Sequence, residues 1–349
     1  MAFYDGVFNA LGLREWCDAD PGASAGPMSM AELLAKTRGD AAGAQDSAVP
    51  FPSLDALHRA CDAIPRTRDM TAAVEQTFLD VKDVLKFVLD PLTQPLSWML
   101  DGALWMFTWL PWWALMPILL LAAWQATRSK GIILLVAAAL VFLGAIDHLE
   151  AAIKTLSIIF VCTTICVAFG VPIGIAMSKN DRLQRFMIPV LDLLQTLPSF
   201  VYLIPLIFLF SVTESKLYGI AIILYAIVPV VRLTDLGIRL VDKDVIEAAD
   251  AFGMNGRQKL LGVEIPLALP NIMAGVNQTI MMSLAMVVIA SLVSAPGLGV
   301  LVLRGIRNLE LGVGLIAGLC IVLLAVVLDR ASKAALDRID ASRAGRQER

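Results

Sequence analysis

Two groups of residues in this chain have types and spacings that could do chemistry. The first is a set of ionisable and amide side chains inside long apolar stretches: Asp192, Gln195, Arg232, Asp235, Asn277 and Gln278. Such groups are costly in an apolar surround, so each one marks either a pathway or an internal bond. Asp192 and Gln195 stand one helical turn apart, just ahead of Leu197 and Pro198. They read as a pathway or gate element, or as hydrogen bonds that hold helices together. Asn277 and Gln278 carry the same two readings. Arg232 and Asp235, at i and i+3, read as an internal ion pair. Phe200 and Tyr202, beside Pro198, are the nearest approach to an aromatic cluster that could receive a cation on its ring faces.

The second group is the segment Asp244–Pro270, DVIEAADAFGMNGRQKLLGVEIPLALP. It is polar, charged and helix-forming, between two apolar runs, and longer than a connector needs. Asp244 followed by Glu247 has the spacing of a capping box. Gly253 falls where a helix end needs a left-handed residue. Asn255 and Gln258 repeat the cap pattern, and Pro266 and Pro270 follow close to the next apolar run. Local physics therefore predicts a short helix, a glycine turn and a second helix lying along a membrane face. Taken alone, this is a surface helical hairpin with Glu247 as a cap.

Neither group is equipped to make or break bonds. No GxxxxGKS or GxxxxGKT occurs, so the chain has no P-loop for ATP. The two histidines, His58 and His148, join no nucleophile–histidine–carboxylate set, and nothing resembles a nucleic-acid footprint. The cysteines form no metal set. Cys162, Cys166 and Cys320 sit in apolar stretches and read as small buried hydrophobes. Cys17 and Cys61 lie in the polar N-terminal region, where a disulfide depends on the compartment it faces.

The loop is more specific than its physics requires. Glu247-Ala248-Ala249, then Gly253, then Val263, Ile265 and Pro266 resemble the cytoplasmic loop signature of bacterial ATP-binding-cassette importer permeases. The usual ending is Ile-x-Leu-Pro, so Val263 and Ile265 are conservative departures. In that family the loop is a coupling helix that fits a cleft on an ATPase subunit. The resemblance thus assigns docking to Glu247, Ala248, Ala249, Ala251 and Gly253. One branch is closer. Leu191–Phe210, Ile227–Ile238, Pro266–Val293 and Gly297–Ile306 are similar to the permease of the glycine betaine/proline betaine/choline importers. That similarity is specific over 150–330 and looser over 75–150, and residues 1–70 match nothing nameable. It implies an all-α, polytopic helical bundle of the type I importer permease kind. It also implies a homodimer in membrane lipid, two ATPase subunits that hold ATP and Mg, and a periplasmic substrate-binding protein that carries the high affinity. This chain would need no cofactor of its own. Three alternatives stay open: an importer permease for another solute such as an amino acid, an ion-driven secondary transporter, and a membrane scaffold or sensor.

The elements that must position these residues are membrane spans. The chain has 349 residues, 58% of them hydrophobic, and a mean hydropathy of +0.74, which places it among membrane proteins. A bilayer core takes about 20 apolar residues as a helix, and on that ruler seven spans are predicted, at about 103–125, 131–147, 152–177, 187–211, 217–240, 267–295 and 312–330. Pro198, Pro205 and Pro229 interrupt the fourth and fifth. The loops with Arg128 and Lys130, with Lys179, Arg182 and Arg185, and with Arg239, Lys243, Arg257 and Lys259 fall on one side, as does the basic tail. The positive-inside rule makes that side cytoplasmic. Arg304 and Arg307 dissent. The expected organisation is a weakly ordered periplasmic region at 1–71, an amphipathic interfacial helix at 72–102 and two spans within 103–150. A permease core at 151–330 with its coupling loop at 241–266 follows, then a cytoplasmic tail at 331–349. The N-terminus lacks the pattern of a cleavable signal peptide. Trp98, Trp105, Trp109 and Trp112 share one helix face and read as an interfacial belt or as a substrate-contacting cluster.

Overall fold

The computed structural model describes residues 8–12 and 67–347, and the chain divides into two compact units, 1–83 and 84–349. Most of the expected weakly ordered region, with Cys17 and Cys61, lies outside the described residues. In the smaller unit, residues 8–12 form a helical turn with Phe8 buried. All regular structure among the described residues is helical.

The expected interfacial helix is longer than 72–102. Helix α1 runs Thr67–Trp109 without interruption through Pro91 and Pro95. Its apolar residues Val84, Phe87, Val88 and Leu92, and then Trp98, Trp105 and Trp109, are all exposed. This spacing makes one apolar stripe. Trp105 and Trp109 stack with centroids 5.9 Å apart. The helix ends where Pro111 pushes Leu110 out of helical geometry. The chain turns by 113° into α2, Trp112–Thr127. The expected span 103–125 is therefore two helices that meet at a proline.

Helices α3 (Lys130–Ala145) and α4 (Leu149–Lys179) follow. The expected fourth span, 187–211, is also broken. Helix α5, Asp181–Thr196, stops before Pro198, and a 3-10 turn at Ser199–Tyr202 leads into α6, Leu203–Leu209, at 103° to α5. Helix α7 spans Ser215–Arg239, and α8 spans Lys243–Ala251. The short α9, Gly256–Lys259, passes through a π-helical turn, Leu260–Glu264, into α10, Ile265–Ala290. A 3-10 turn, Ser291–Val293, caps α10, and α11 (Leu298–Arg307) and α12 (Leu311–Gln347) complete the chain. The expected tail at 331–349 is not a separate segment, because α12 continues through it as far as Gln347.

Four of these helices are long and apolar enough to cross a membrane alone. Two bent pairs, α1 with α2 and α5 with α6, reach that test together, and α3 is a shorter apolar helix. Each expected span thus has a helical counterpart, but only four are single long helices.

The core is built on α4, α7 and α10, which approach one another through glycines. A Cβ on Gly174 would lie 2.6 Å from Thr234 Cβ and 2.7 Å from the Val231 carbonyl oxygen. One on Gly237 would lie 2.7 Å from Asn271 Cβ, and one on Gly275 would lie 3.0 Å from Val230 Cα. Apolar lipid gives helices little hydrophobic reason to associate, so such close backbone approach supplies the packing. Ile158, Cys162, Leu217, Ile222, Met286 and Val287 are buried between these helices, with Leu100 of α1. The buried backbone N–H of Leu298 donates to Thr155 Oγ1 at 2.9 Å and seats the start of α11 on α4. Cys162, Cys166 and Cys320 are buried thiols, as expected.

Candidate functional site

The segment after α7 forms the expected helix–glycine–helix shape, with two corrections. The N-cap of α8 is Asp242, whose carboxylate accepts from the Asp244 N–H at 3.0 Å. Asp244 is inside the first turn, so the Asp244–Glu247 capping box does not form. The second helix is not a separate surface helix, since α9 continues through the π-helical turn into α10 as one 38-residue helical run, Gly256–Val293. The Asn255–Gln258 capping box does form, with both reciprocal bonds at 2.9 and 3.0 Å.

Gly253 has φ +73°. The Met254 N–H donates to the Ala249 carbonyl at 3.1 Å and the Gly253 N–H to the Asp250 carbonyl at 2.9 Å. These two bonds make a Schellman motif, which needs a left-handed residue at the turn. Lys259 of α9 bonds both oxygens of Asp250 at 2.7 and 2.9 Å, which clips the second helix to the first. On the inner side, Ile246 packs with Ile175, Ile265 and the buried cluster Ile238, Val241, Ala268 and Ile272.

This seating sorts the expected docking residues. Glu247, Ala248, Ala251 and Gly253 are exposed, but Ala249 is buried at 6% and faces inward. The outer surface instead gains Phe252, 87% exposed, with Val245 and Met254 beside it. Sequence reasoning missed Phe252. Its signal was a large ring next to the capping glycine in an otherwise polar segment.

The polar residues within the spans are mostly tied to neighbouring helices. Arg232 Nη2 bonds Asp192 Oδ1, which joins α7 to α5. The expected Arg232–Asp235 pair is therefore wrong. The i+3 spacing allowed it, but Asp235 is claimed by Gln184 at 2.7 Å and by Arg239 at 3.0 Å. Arg239 also donates to the Met177 carbonyl at 2.9 Å and meets Asp181 at 2.8 Å. Asn277 donates to Asp329 Oδ1 at 3.0 Å and accepts from Ser332, which joins α10 to α12. Gln195 is half-buried and Gln278 is exposed. Pro198 marks the break after α5. Phe200 is exposed, whereas Tyr202 is buried, its hydroxyl donating to the Leu194 carbonyl. The two rings do not form a cluster. A cavity of about 790 Å³ lies elsewhere, lined by Phe107, Trp112, Met116, Val141, Asp147 and Glu150 among others; of the residues expected to meet substrate it contains Trp112 and none of Asp192, Gln195, Pro198, Phe200, Tyr202, Asn277 and Gln278.

Residues 167–340 match the profile of the family described as "Binding-protein-dependent transport system inner membrane component". The chain is 37% identical over 286 residues to the glycine betaine/proline betaine transport system permease protein ProW of Escherichia coli, covering 81% of this chain and 78% of that one. It belongs to this permease family.

Other relatives of the permease agree. It is 43% identical to the glycine betaine transport system permease protein OpuAB of Bacillus subtilis, over 60% of this chain and 73% of that one. It is 37% identical to the glycine betaine/carnitine transport permease protein GbuB of Listeria monocytogenes, over 70% and 87%. A solved chain of the inward-facing MetNI methionine ABC transporter is also similar, at TM-score 0.49 and 19% identity, covering 56% of this chain and 95% of that one. The permease is a multi-pass inner-membrane protein and not an enzyme in its own right. Its family segment contains the whole helix–glycine–helix loop, together with the ties of Asp192, Asp235 and Asn277.

Proposed function

We propose that this permease carries glycine betaine, proline betaine, choline or a closely related quaternary amine inward, in a machine driven by ATP hydrolysis in partner subunits. The observation that carries the reading is the α8–Gly253–α9 loop. It is seated on the ends of α7 and α10 and presents Glu247, Ala248, Ala251 and Phe252 outward, in a chain whose relatives are named glycine betaine permeases. An exposed phenyl ring beside small residues and one carboxylate is a surface made for a shaped cleft: the ring anchors, and the charge sets orientation. The ATPase subunit, with ATP and Mg, would dock there. The loop side would be cytoplasmic, in keeping with the basic residues Arg182, Arg185, Arg257 and Lys259 around it. The N-terminal region and the substrate-binding protein would lie on the periplasmic side.

Two permease copies would enclose the path, and the exposed apolar and tryptophan stripe of α1 would rest in lipid headgroups. Absence of a ring cluster at Phe200 and Tyr202 suits a low-affinity path, with tight binding left to the partner protein. Asp192, Gln195, Pro198, Phe200, Tyr202, Asn277 and Gln278 surround or brace that path, and Asp192 and Asn277 do so as helix ties.

The test is uptake of radiolabelled glycine betaine into vesicles that contain the permease, its ATPase and its binding protein. Uptake should require ATP inside, survive collapse of ion gradients and be competed by choline or proline betaine. Uptake driven by an ion gradient alone would overturn the reading, and competition by amino acids but not betaines would move the substrate class. Gly253→Pro cannot adopt φ +73°, so it should abolish substrate-stimulated ATPase activity. Intact coupling in that variant would remove the loop from the mechanism.

A further inference from the structure

Glu264 is buried at 2% exposure in the π-helical turn Leu260–Glu264, where the docking loop becomes α10. Its carboxylate pairs with Lys179 Nζ, at the last residue of α4 and 85 positions away in sequence. Two features here are unfavourable if the segment is only a connector. A buried carboxylate needs a partner to offset several kcal/mol of lost hydration, and an apolar residue of the same size would pack at no such cost. A π-helical turn inside an otherwise regular helix is rare and is often found at functional positions.

The surroundings give these features a use. Helices α4, α7 and α10 meet through Gly174, Gly237 and Gly275, with no room for an added Cβ. Arg239 of α7 bonds the Met177 carbonyl of α4 at 2.9 Å. These contacts join α4 to α7 and α7 to α10. The Lys179–Glu264 pair adds a charged tie from α4 to the start of α10, at the π-helical turn between the docking surface and the spans.

We infer that Glu264 and Lys179 are positioning residues for coupling. Their ion pair locks the π-helical turn so that a push on the α8–α9 loop moves α4, α7 and α10 as one body. The inference rests on the importer reading and adds the residues through which the loop's movement reaches the core. Sequence reasoning had no access to it, because Glu264 stands unremarkably between Val263 and Ile265, and Lys179 reads as an ordinary loop cation.

The experiment uses the whole reconstituted importer and measures both ATP hydrolysis and betaine uptake, reported as solute moved per ATP hydrolysed. Glu264→Gln keeps the shape and removes the charge. It should leave ATP hydrolysis near the native rate while uptake per ATP falls about tenfold, in the range of a single coupling contact. The exchange Lys179→Glu with Glu264→Lys should restore most of the ratio. A purely structural tie predicts a lower thermal midpoint with an unchanged ratio in the protein that survives, and that result would overturn the inference. So would failure of the exchange to improve on Glu264→Gln when both variants assemble with their partners. The Lys179→Gln variant, which leaves Glu264 in place, should also lower the ratio, and a native ratio there would count against the pair. Loss of ATP-dependent uptake in the native importer itself would instead defeat the functional reading beneath it.

Discussion

At the scale of single residues, the chain uses its charges mainly to bind helices together. Asp235 is the clearest case. It is 6% exposed and accepts from Gln184 of α5 and Arg239 of α7, and Arg239 reaches on to α4 and Asp181. Removing the carboxylate leaves the Gln184 amide without its acceptor and takes one of three partners from Arg239, which keeps the Met177 carbonyl and Asp181. Asp235→Ala should destabilise the permease by about 2 kcal/mol, as for the loss of hydrogen bonds to a charged group. Gln184→Ala should cost about 1 kcal/mol, as for one hydrogen bond. Thermal midpoints in detergent would rank the two, and the reverse order would show that Arg239 finds other partners. Gly253 offers a second contrast. Nothing lies within 4 Å of its absent Cβ, so Gly253→Ala meets only the left-handed backbone penalty of about 1 kcal/mol. It should retain much of its uptake, whereas Gly253→Pro should retain none.

At the scale of elements, hydropathy located every apolar helix but not its continuity. Span 103–125 contained Pro111 and Pro117, and span 187–211 contained Pro189, Pro198 and Pro205, but the structure breaks at Pro111 and Pro198 and runs helical through the rest. The proline rule was available for each, but the choice between a kink and a near right-angle turn is made by what the second half packs against. The loop was more legible. Gly253 and the Asn255–Gln258 box are local devices, and both stand as the sequence implied. Ala249 was misplaced for a related reason: a row of alanines carries no label for its inner side, and Ile246 three residues earlier decides which way α8 turns. The ion pairs were least legible, since Arg232 chose Asp192, forty residues away, over Asp235 nearby. Two glycines test the packing account. Gly174→Val should be among the worst substitutions in the core, because its side chain would meet both Thr234 and the Val231 carbonyl. Overpacking of this kind costs about 3 kcal/mol. Gly262→Ala has open space around it and should be neutral or stabilising by up to about 1 kcal/mol through helix propensity. Folded yield after extraction separates these outcomes.

At the scale of the larger unit, 84–349, the question is what holds α1 against the core when most of its apolar surface points outward. Leu96 and Leu100 meet the glycine-smoothed surface at Gly219, where an added Cβ would lie 2.5 Å from Leu100 Cδ1 and push that side chain aside. Polar ties flank that contact. Lys216, at the start of α7, is buried, with Asp90 Oδ1 at 2.7 Å, Glu214 Oε2 at 2.8 Å and the Phe210 ring at 5.1 Å. Asp101 accepts from Ser97 at 3.2 Å and also from Ser215, beside Lys216. One cation thus serves two carboxylates and a ring, and one of those carboxylates belongs to α1. Lys216→Met keeps the apolar stem but leaves Asp90 and Glu214 without a counter-charge. The loss should be about 2 kcal/mol, as for hydrogen bonds to a charged group, and should appear first in α1: limited proteolysis should cut within 84–109 well before it cuts the α4–α7–α10 core. Pairing the change with Asp90→Leu removes one stranded carboxylate and should recover a large part of the protection. If α1 in Lys216→Met resists cleavage as the native helix does, the apolar contact at Gly219 alone holds it, and Gly219→Leu should then release it.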